Sequence, residues 1–148
     1  MQESSNKIIQ QGEIVSFDTD MVGPYGYCAD ISRTFVCGND FNNTQKELYS
    51  MSLEQINHNS NLIKANMSFK EFTEKSWKLP EEYYGNRYSV MVHGIGLCDE
   101  WPSIRYPTDG GDKSGRFLKN MTITVESYIG KVGGKEGVKL EQQYLVGE

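Results

Sequence analysis

The chain has 148 residues, of which 37% are hydrophobic and 24% charged, and its formal net charge is -5. This size and balance fit one globular domain with its own core, without a basic surface for nucleic acid or an anionic membrane. No apolar run approaches the ~20 residues of a membrane span, no signal-peptide core is visible at the N-terminus, and three cysteines without ligand spacing predict reduced thiols and a cytoplasmic protein.

Two strands are predicted at the start of the chain. Residues 13–22 are rich in β-branched and aromatic side chains, the sequence GPYG then turns the chain, and residues 27–37 form the returning strand. Asp18 and Asp20 are two positions apart, so on a strand both project from one face. Asp30 in the returning strand can face them across the ladder.

Two helices are predicted next. Thr44 with Glu47 has the pattern of a capping box, and an imperfect apolar stripe extends this helix to about residue 65. Ser68 with Glu71 repeats the capping pattern and begins a second helix, which ends before the next proline. His58 lies in the polar part of the first helix and is interpreted as an exposed surface residue.

Three strands complete the predicted elements. Residues 87–96 (RYSVMVHGIG) form a strand that enters a glycine turn. After a loop, residues 121–130 and 138–146 form two strands joined by the hairpin-like connection KVGGKEG. Glu126 and Glu141 each lie between apolar residues in these last strands. Like the three aspartates, they are therefore acids at positions where the core is expected.

The acidic side chains of the predicted strands need positive partners. Burying even one unpaired carboxylate is very costly, so a cluster of them requires protons or cations. Five carboxylates and one imidazole suit a pair of hard or borderline ions such as iron, manganese, cobalt or zinc, with shared carboxylates bridging ions ~3.5–4 Å apart. The candidate ligands are Asp18, Asp20, Asp30, His93, Glu126 and Glu141.

Each candidate ligand also has a simpler explanation. Taken alone, each acid is explained about equally well as an exposed residue at a strand edge or as a metal ligand. Asp30 could also pair with Arg33. A single histidine on a strand, such as His93, is more often structural than metal-binding. The metal hypothesis therefore depends on the whole set, in which every member lies in an apolar strand context.

The ordered motifs FDTD, AD.SRTF, HGIG, TVES and KLEQ resemble the pita-bread superfamily of metallohydrolases, which includes methionine aminopeptidase, prolidase and creatinase. The resemblance covers nearly the whole chain and implies an α+β pita-bread fold. It also implies a dinuclear metal centre, with the ligands Asp18, Asp30, His93, Glu126 and Glu141. We expect residues 1–148 to be the C-terminal part of a longer catalytic domain, incomplete at its N-terminal side, with exposed apolar surface there. The full-length protein is expected to be a homodimer.

The loop after HGIG departs from the peptidases of this superfamily. They usually carry HGIGH and then a second histidine in an HE.P segment. In the sequence HGIGLCDEWP, Leu97 and Asp99 stand at those two positions. A peptidase without both histidines would lose substrate positioning and proton transfer to the leaving amine, which argues against peptide hydrolysis.

These departures, with the additional Asp20 in FDTD, resemble the metallopeptidase-like dimethylsulfoniopropionate lyases. The resemblance implies β-elimination of that small molecule to dimethyl sulfide and acrylate, with Asp20 among the metal ligands, Asp99 as the base, Tyr88 assisting at the substrate, and iron as the metal. The aromatic faces of Tyr88 and Trp101 are suited to hold a sulfonium cation, although Tyr88 as a structural strand residue and Trp101 as a packing residue remain alternatives. Cys98 is interpreted as inert. A metallo-aminopeptidase or Xaa-Pro peptidase, and a non-catalytic homologue, also remain open.

Overall fold

The computed structural model describes residues 6–111 and 113–148 of the chain. In that part, a four-stranded antiparallel sheet and two short antiparallel ribbons are combined with three α-helices. The strands are β1 (Ile14–Phe17), β2 (Met21–Val22), β3 (Cys28–Ala29), β4 (Arg33–Val36), β5 (Val90–Gly94), β6 (Ser103–Arg105), β7 (Thr122–Gly130) and β8 (Gly137–Leu145). The helices are α1 (Asn43–Leu62), α2 (Phe69–Lys75) and α3 (Glu81–Tyr84).

The two predicted N-terminal strands are each interrupted. β1 pairs with β4 and β2 pairs with β3, so the strands form two separate ribbons. The interruption arises where Thr19 replaces a backbone partner: its hydroxyl donates to the Ile31 carbonyl and accepts from the Ile31 N–H. Asp18 and Asp20 therefore lie in the connection between β1 and β2, and Asp30 lies between β3 and β4. The prediction of two continuous strands is wrong.

The helices begin at side-chain caps. Asn42 and Gln45 form a reciprocal capping box at α1, slightly before the predicted position, because each side chain accepts a hydrogen bond from the other residue's N–H. The Ser68 hydroxyl accepts from the Glu71 N–H and begins α2, as predicted. His58 on α1 is exposed, which confirms its interpretation as a surface residue. Among the described helices, none is both long and apolar enough to cross a membrane.

The four-stranded sheet has the order β6-β5-β7-β8, and α1 packs against β7 and β8. The short strand β6 lies in the segment that the sequence pattern predicts to be a loop. Ser127 of β7 contacts α1 through Ser52 and Gln55, so this face of the sheet is closed by the helix. Since neighbouring residues of a strand point to opposite faces, Glu126 projects from the other face, where the acidic side chains gather.

Apolar side chains are exposed on the ribbon that β1 and β4 form. Phe17 and Phe35 keep 59% and 57% of their surface in solvent, and Tyr25 in the turn between β2 and β3 keeps 95%. The expectation of an apolar surface on the N-terminal side of an incomplete domain stays a prediction. Cys28, Cys37 and Cys98 are all free thiols.

Candidate metal centre

Three strands of the central sheet bring one histidine and two glutamates together. His93 lies on β5, and Glu126 and Glu141 are directly paired across the β7–β8 ladder. The His93 Nε2 atom is 3.1 Å from Glu141 Oε1 and 3.8 Å from Glu126 Oε1. The side chains of all three are almost fully buried. The sheet therefore fixes three of the predicted ligands before any ion is bound.

The ribbon connections supply the aspartates. Asp30 is buried, and its Oδ2 atom is 3.6 Å from His93 Nε2. Asp18 joins the same cluster from a more exposed position, since an oxygen of Asp18, one of Asp30 and one of Glu141 lie within 4.8 Å of one another. The Ser32 hydroxyl lies between the ribbon and the sheet, 2.6 Å from Asp18 Oδ1 and 2.9 Å from Glu141 Oε2.

The loop after β5 adds two acids on the solvent side of the cluster. Asp99 lies within 4.8 Å of Asp20 and Asp30, and its Oδ1 atom is 3.8 Å from His93 Nδ1. Glu100, which the sequence analysis did not select, forms a further group with Asp30 and His93. The strand pattern could not reveal Glu100 because it lies in a loop with a positive φ of 62°. The one sequence feature that indicates Glu100 is its position next to Asp99 in DEWP.

The overlapping groups connect all six predicted ligands, and two buried atoms among them lack a partner. Asp30 Oδ1 and Glu126 Oε1 are buried without a hydrogen bond among the described residues. An unsatisfied buried acceptor costs ~1–3 kcal/mol, and more when the group is charged. Carboxylate oxygens and an imidazole nitrogen are donors that first-row divalent ions accept. The residues present therefore fit a metal centre.

The acids of the cluster strongly perturb one another. Burial raises the pKa of Glu126 to about 8, and burial, with the charges of Glu141 and Asp18, raises the pKa of Asp30 to about 8. Burial alone would lower the pKa of His93, but the hydrogen bond with Glu141 and the charge of Glu126 outweigh it and raise that pKa to about 9. The cluster therefore retains protons near neutral pH, and a metal ion bound here would displace them.

A buried lysine, which is not among the predicted site residues, also belongs to the cluster. The Lys139 ammonium on β8 contacts Glu126 Oε2 and lies 3.4 Å from Glu141 Oε2 and 3.9 Å from Asp18 Oδ2. Burial by itself lowers its pKa, but the charges of Glu126 and Glu141 raise it above the ordinary lysine value. The sequence does contain a feature that indicates Lys139: it lies two residues before Glu141, and this spacing on a strand puts both side chains on one face.

The two aromatic candidates differ in position, since Tyr88 contacts residues of the cluster and Trp101 lies in the exposed loop after β5. Tyr88 precedes β5 and is half-buried; its hydroxyl donates a long hydrogen bond of 3.4 Å to Glu100, and the Lys139 ammonium is 4.6 Å from its ring centre. Burial, with the charges of Glu126 and Glu100, raises the pKa of Tyr88, so its hydroxyl stays protonated. Trp101 is 64% exposed and lines an open cavity of about 440 Å³. The other lining residues are Glu100, Ser103, Arg105 and Gly111.

The family model of Metallopeptidase family M24 matches residues 1–148 of the chain. The dimethylsulfoniopropionate lyase DddP of Roseovarius nubinhibens is 39% identical over 151 residues, which cover 99% of this chain and 34% of the lyase. An Xaa-Pro dipeptidase of Pyrococcus furiosus is 33% identical over 150 residues, which cover 98% of this chain and 40% of the dipeptidase. The solved X-Pro aminopeptidase of Thermotoga maritima has a TM-score of 0.77 at 27% identity, over 99% of this chain and 40% of that protein.

These similarities extend along nearly the whole chain. They confirm the predicted resemblance to the pita-bread enzymes and the α+β class of the fold. The chain spans about a third of the length of the lyase and about two fifths of the length of the two peptidases. The similarity includes both a lyase and peptidases, so the choice between these reactions depends on the chemistry of the site.

Proposed function

Because the chain belongs to metallopeptidase family M24, we propose that it acts in a metal-dependent lyase that cleaves dimethylsulfoniopropionate to dimethyl sulfide and acrylate. The observation that carries the proposal is the position of Asp99. Its carboxylate lies beside the metal cluster, 3.8 Å from His93 Nδ1, in the loop where the sequence departs from the peptidase pattern. The 39% identity to the lyase of Roseovarius nubinhibens supports the same choice.

The metal centre of this proposal is dinuclear, with iron as the metal and manganese, cobalt or zinc as alternatives. When bound, the two ions would act as Lewis acids that polarise the substrate carboxylate and favour negative charge on the adjacent carbon. The proposed ligands are Asp18, Asp20, Asp30, His93, Glu126 and Glu141. The unsatisfied oxygens of Asp30 and Glu126 are the strongest structural support for this set.

Asp99 is the proposed base. It removes the proton from the carbon next to the substrate carboxylate; the electron pair of that C–H bond becomes the carbon–carbon double bond, and the C–S bond breaks with its electrons moving to sulfur. The products are acrylate and neutral dimethyl sulfide, and the proton stays on Asp99. A hydrogen bond of 2.9 Å from the Glu100 N–H to Asp99 Oδ1 fixes the carboxylate. Its side chain is 30% exposed, which leaves an oxygen accessible to a substrate.

Aromatic side chains are proposed to hold the sulfonium group. Trp101 and Glu100 line the same open cavity, and Tyr88 approaches this loop through its hydrogen bond to Glu100. An aromatic face near a cation contributes about 0.5–2 kcal/mol. Loss of the positive charge when the sulfide forms would weaken this interaction, which favours release of the product.

A peptidase is the second candidate, since the Xaa-Pro dipeptidase of Pyrococcus furiosus is 33% identical to this chain. The proposed ligands would serve hydrolysis equally well. Against it, Leu97 and Asp99 replace the two histidines that the sequence pattern of such peptidases leads one to expect, so no imidazole beyond His93 lies near the cluster. His58, the other histidine of the chain, is exposed on α1 and contacts the Lys75 carbonyl.

The deciding experiment measures both reactions on one preparation. The iron-loaded protein is incubated with dimethylsulfoniopropionate, and dimethyl sulfide in the headspace is compared with acrylate in solution. Equal amounts of both, lost after metal removal, support the lyase. Hydrolysis of Xaa-Pro dipeptides without release of dimethyl sulfide would instead support the peptidase, and neither activity from metal-loaded protein would support a non-catalytic homologue.

A further inference from the structure

The acidic cluster contains its own cation. This cation is Lys139. Among the described residues, no other lysine or arginine forms an ion pair with the cluster acids, and the partners of Lys139 are Glu126, Glu141 and Asp18. Its side chain is only 12% exposed. A lysine is rarely buried to this degree unless its charge is paired, so the ammonium and the carboxylates require one another.

The two glutamates divide their oxygens between this cation and the histidine. Glu126 and Glu141 both turn Oε1 toward His93, and both turn Oε2 toward Lys139. Glu126 Oε1, the atom without a hydrogen-bond partner, is therefore left for a metal ion, while the contact with Lys139 holds its second oxygen. The ammonium thus fixes which oxygen of each carboxylate faces the proposed centre.

The backbone of Lys139 is fixed as well. Its N–H donates to Thr34 Oγ1 at 3.1 Å, and the Thr34 hydroxyl lies 2.8 Å from the Lys139 carbonyl. Thr34 is buried on β4, so these contacts tie the ribbon to β8. The Lys139 ammonium also lies 4.6 Å from the ring centre of Tyr88, within the range of a cation–π contact. Neither end of the residue is free to withdraw from the cluster.

The geometry points to Lys139 as a positioning residue, a built-in counter-charge that orients Glu126 and Glu141 and stabilises the acidic cluster when no metal ion is bound. Like charges directly opposite each other on a sheet are destabilising, and buried charges need a partner. In the metal-free protein Lys139 supplies that partner, whereas a metal ion supplies it in the loaded protein. This inference rests on the proposed metal centre but is independent of the lyase reaction.

The test compares the metal dependence of thermal stability in three variants. Lys139→Met removes the charge, Lys139→Arg retains it, and Lys131→Met is the control, because Lys131 forms an exposed ion pair with Glu82. Melting temperatures are measured at pH 8 in EDTA and with Mn²⁺. Lys139→Met is expected to lose on the order of 10 °C in EDTA, because one partner of a buried ion pair is removed. Mn²⁺ recovers most of this loss, and Lys139→Arg and Lys131→Met stay near the parent.

An equal loss for Lys139→Met in EDTA and in Mn²⁺ would overturn the inference, because it would indicate ordinary packing. If this variant does not fold, the melting temperature of the double variant Lys139→Met/Glu126→Gln in EDTA tests the inference instead. It is expected to fold and melt above the single variant, since the unpaired carboxylate is gone; failure to regain stability contradicts the role of Lys139. If Mn²⁺ leaves the parent unchanged, the metal centre itself is wrong, whereas absence of lyase activity alone leaves the inference intact.

Discussion

Glu126 and Glu141 are directly opposite each other in the β7–β8 ladder, and each directs Oε1 toward His93. Two carboxylates at such a position repel one another, and both are almost fully buried. Burial raises the pKa of Glu126, whereas the hydrogen bond with His93 and the charge of Lys139 outweigh burial and lower the pKa of Glu141. The two carboxyl groups of the pair therefore differ in their affinity for a proton, and the Lys139 ammonium contacts both.

Divalent metal is expected to stabilise the protein. At a concentration a hundredfold above its Kd, a ligand of the folded state contributes ~2.7 kcal/mol, which corresponds to a rise in Tm of about 5–10 °C for a chain of this size. Thermal melts with Mn²⁺ or Fe²⁺ measure the shift, and Glu126→Gln should remove most of it. His58→Ala is the control, because His58 is exposed and lies outside the cluster. An unchanged Tm in the parent protein would rule out the proposed centre.

The metal-free protein should lose stability as the pH rises from 6 to 9. The pKa of His93 is raised from 6.5 to about 9, and those of Glu126 and Asp30 from 4.5 and 3.8 to about 8, so the folded state binds more protons than the unfolded state in this range. Stability then falls with increasing pH. The stabilisation from the lowered pKa of Glu141 is lost only in acid, below this window.

The pH effect should reach several kcal/mol, because one pKa unit corresponds to ~1.4 kcal/mol and three groups titrate in this range. Urea unfolding in EDTA at pH 6, 7.5 and 9 measures it. The slope should be smaller in Glu126→Gln, which lacks one of the titrating groups, and smaller again in metal-loaded protein. Stability that is constant or increases toward pH 9 would contradict the described proton binding.

The conflict between a charge and its apolar neighbours identified acids in the strands, whereas Asp99, which lies in a loop, was predicted from the family resemblance alone. Glu126 and Glu141 were identifiable because a charge in a central strand conflicts with its surroundings. Glu100 lies in a loop, where an acidic residue is ordinary. Its position near the cluster depends on how the chain folds back after β5. Lys139 was missed because a lysine near a strand end is ordinary unless its ammonium is known to be buried.

The fold was predictable to a similar degree. Hydrophobic pattern and capping located α1, α2 and the long strands β7 and β8, since these signals are local. The two ribbons were predicted as continuous strands because the bonds that interrupt them, between Thr19 and Ile31, join positions far apart in the chain. Only the folded structure shows that a side chain has replaced the backbone there.

Replacing the proposed base should separate catalysis from metal binding. Asp99→Asn keeps the shape of the side chain but cannot accept the substrate proton, so release of dimethyl sulfide should fall by about 100- to 10,000-fold. Metal content, measured on the same sample, should remain near that of the parent. Cys98→Ala is the control because Cys98 is exposed and adjacent, and it should keep full activity. Loss of metal from Asp99→Asn would mean that Asp99 is a ligand.

Trp101 should affect binding of the sulfonium group. Trp101→Leu removes an aromatic face worth about 0.5–2 kcal/mol, so KM for dimethylsulfoniopropionate should rise by about 2- to 30-fold with little change in kcat. Inhibition by acrylate, which has no cation, is the internal control and should be unaffected. Trp101→Phe should retain most of the affinity. Equal weakening toward acrylate would indicate a general packing role instead.

Gly94 should be essential for the position of the loop that carries Asp99. A Cβ atom at residue 94 would lie 2.1 Å from the Trp101 carbonyl oxygen and 2.7 Å from Pro102 Cδ, so the loop would have to move away from β5. We expect Gly94→Ala to destabilise the protein by about 1–3 kcal/mol in urea unfolding and to lower lyase activity strongly. Gly147→Ala is the matched control, because no atom lies within 4 Å of its Cβ position, and it should remain within about 0.5 kcal/mol of the parent. Full activity in Gly94→Ala would show that the reaction does not depend on the placement of this loop, and would remove Asp99 from the proposed mechanism.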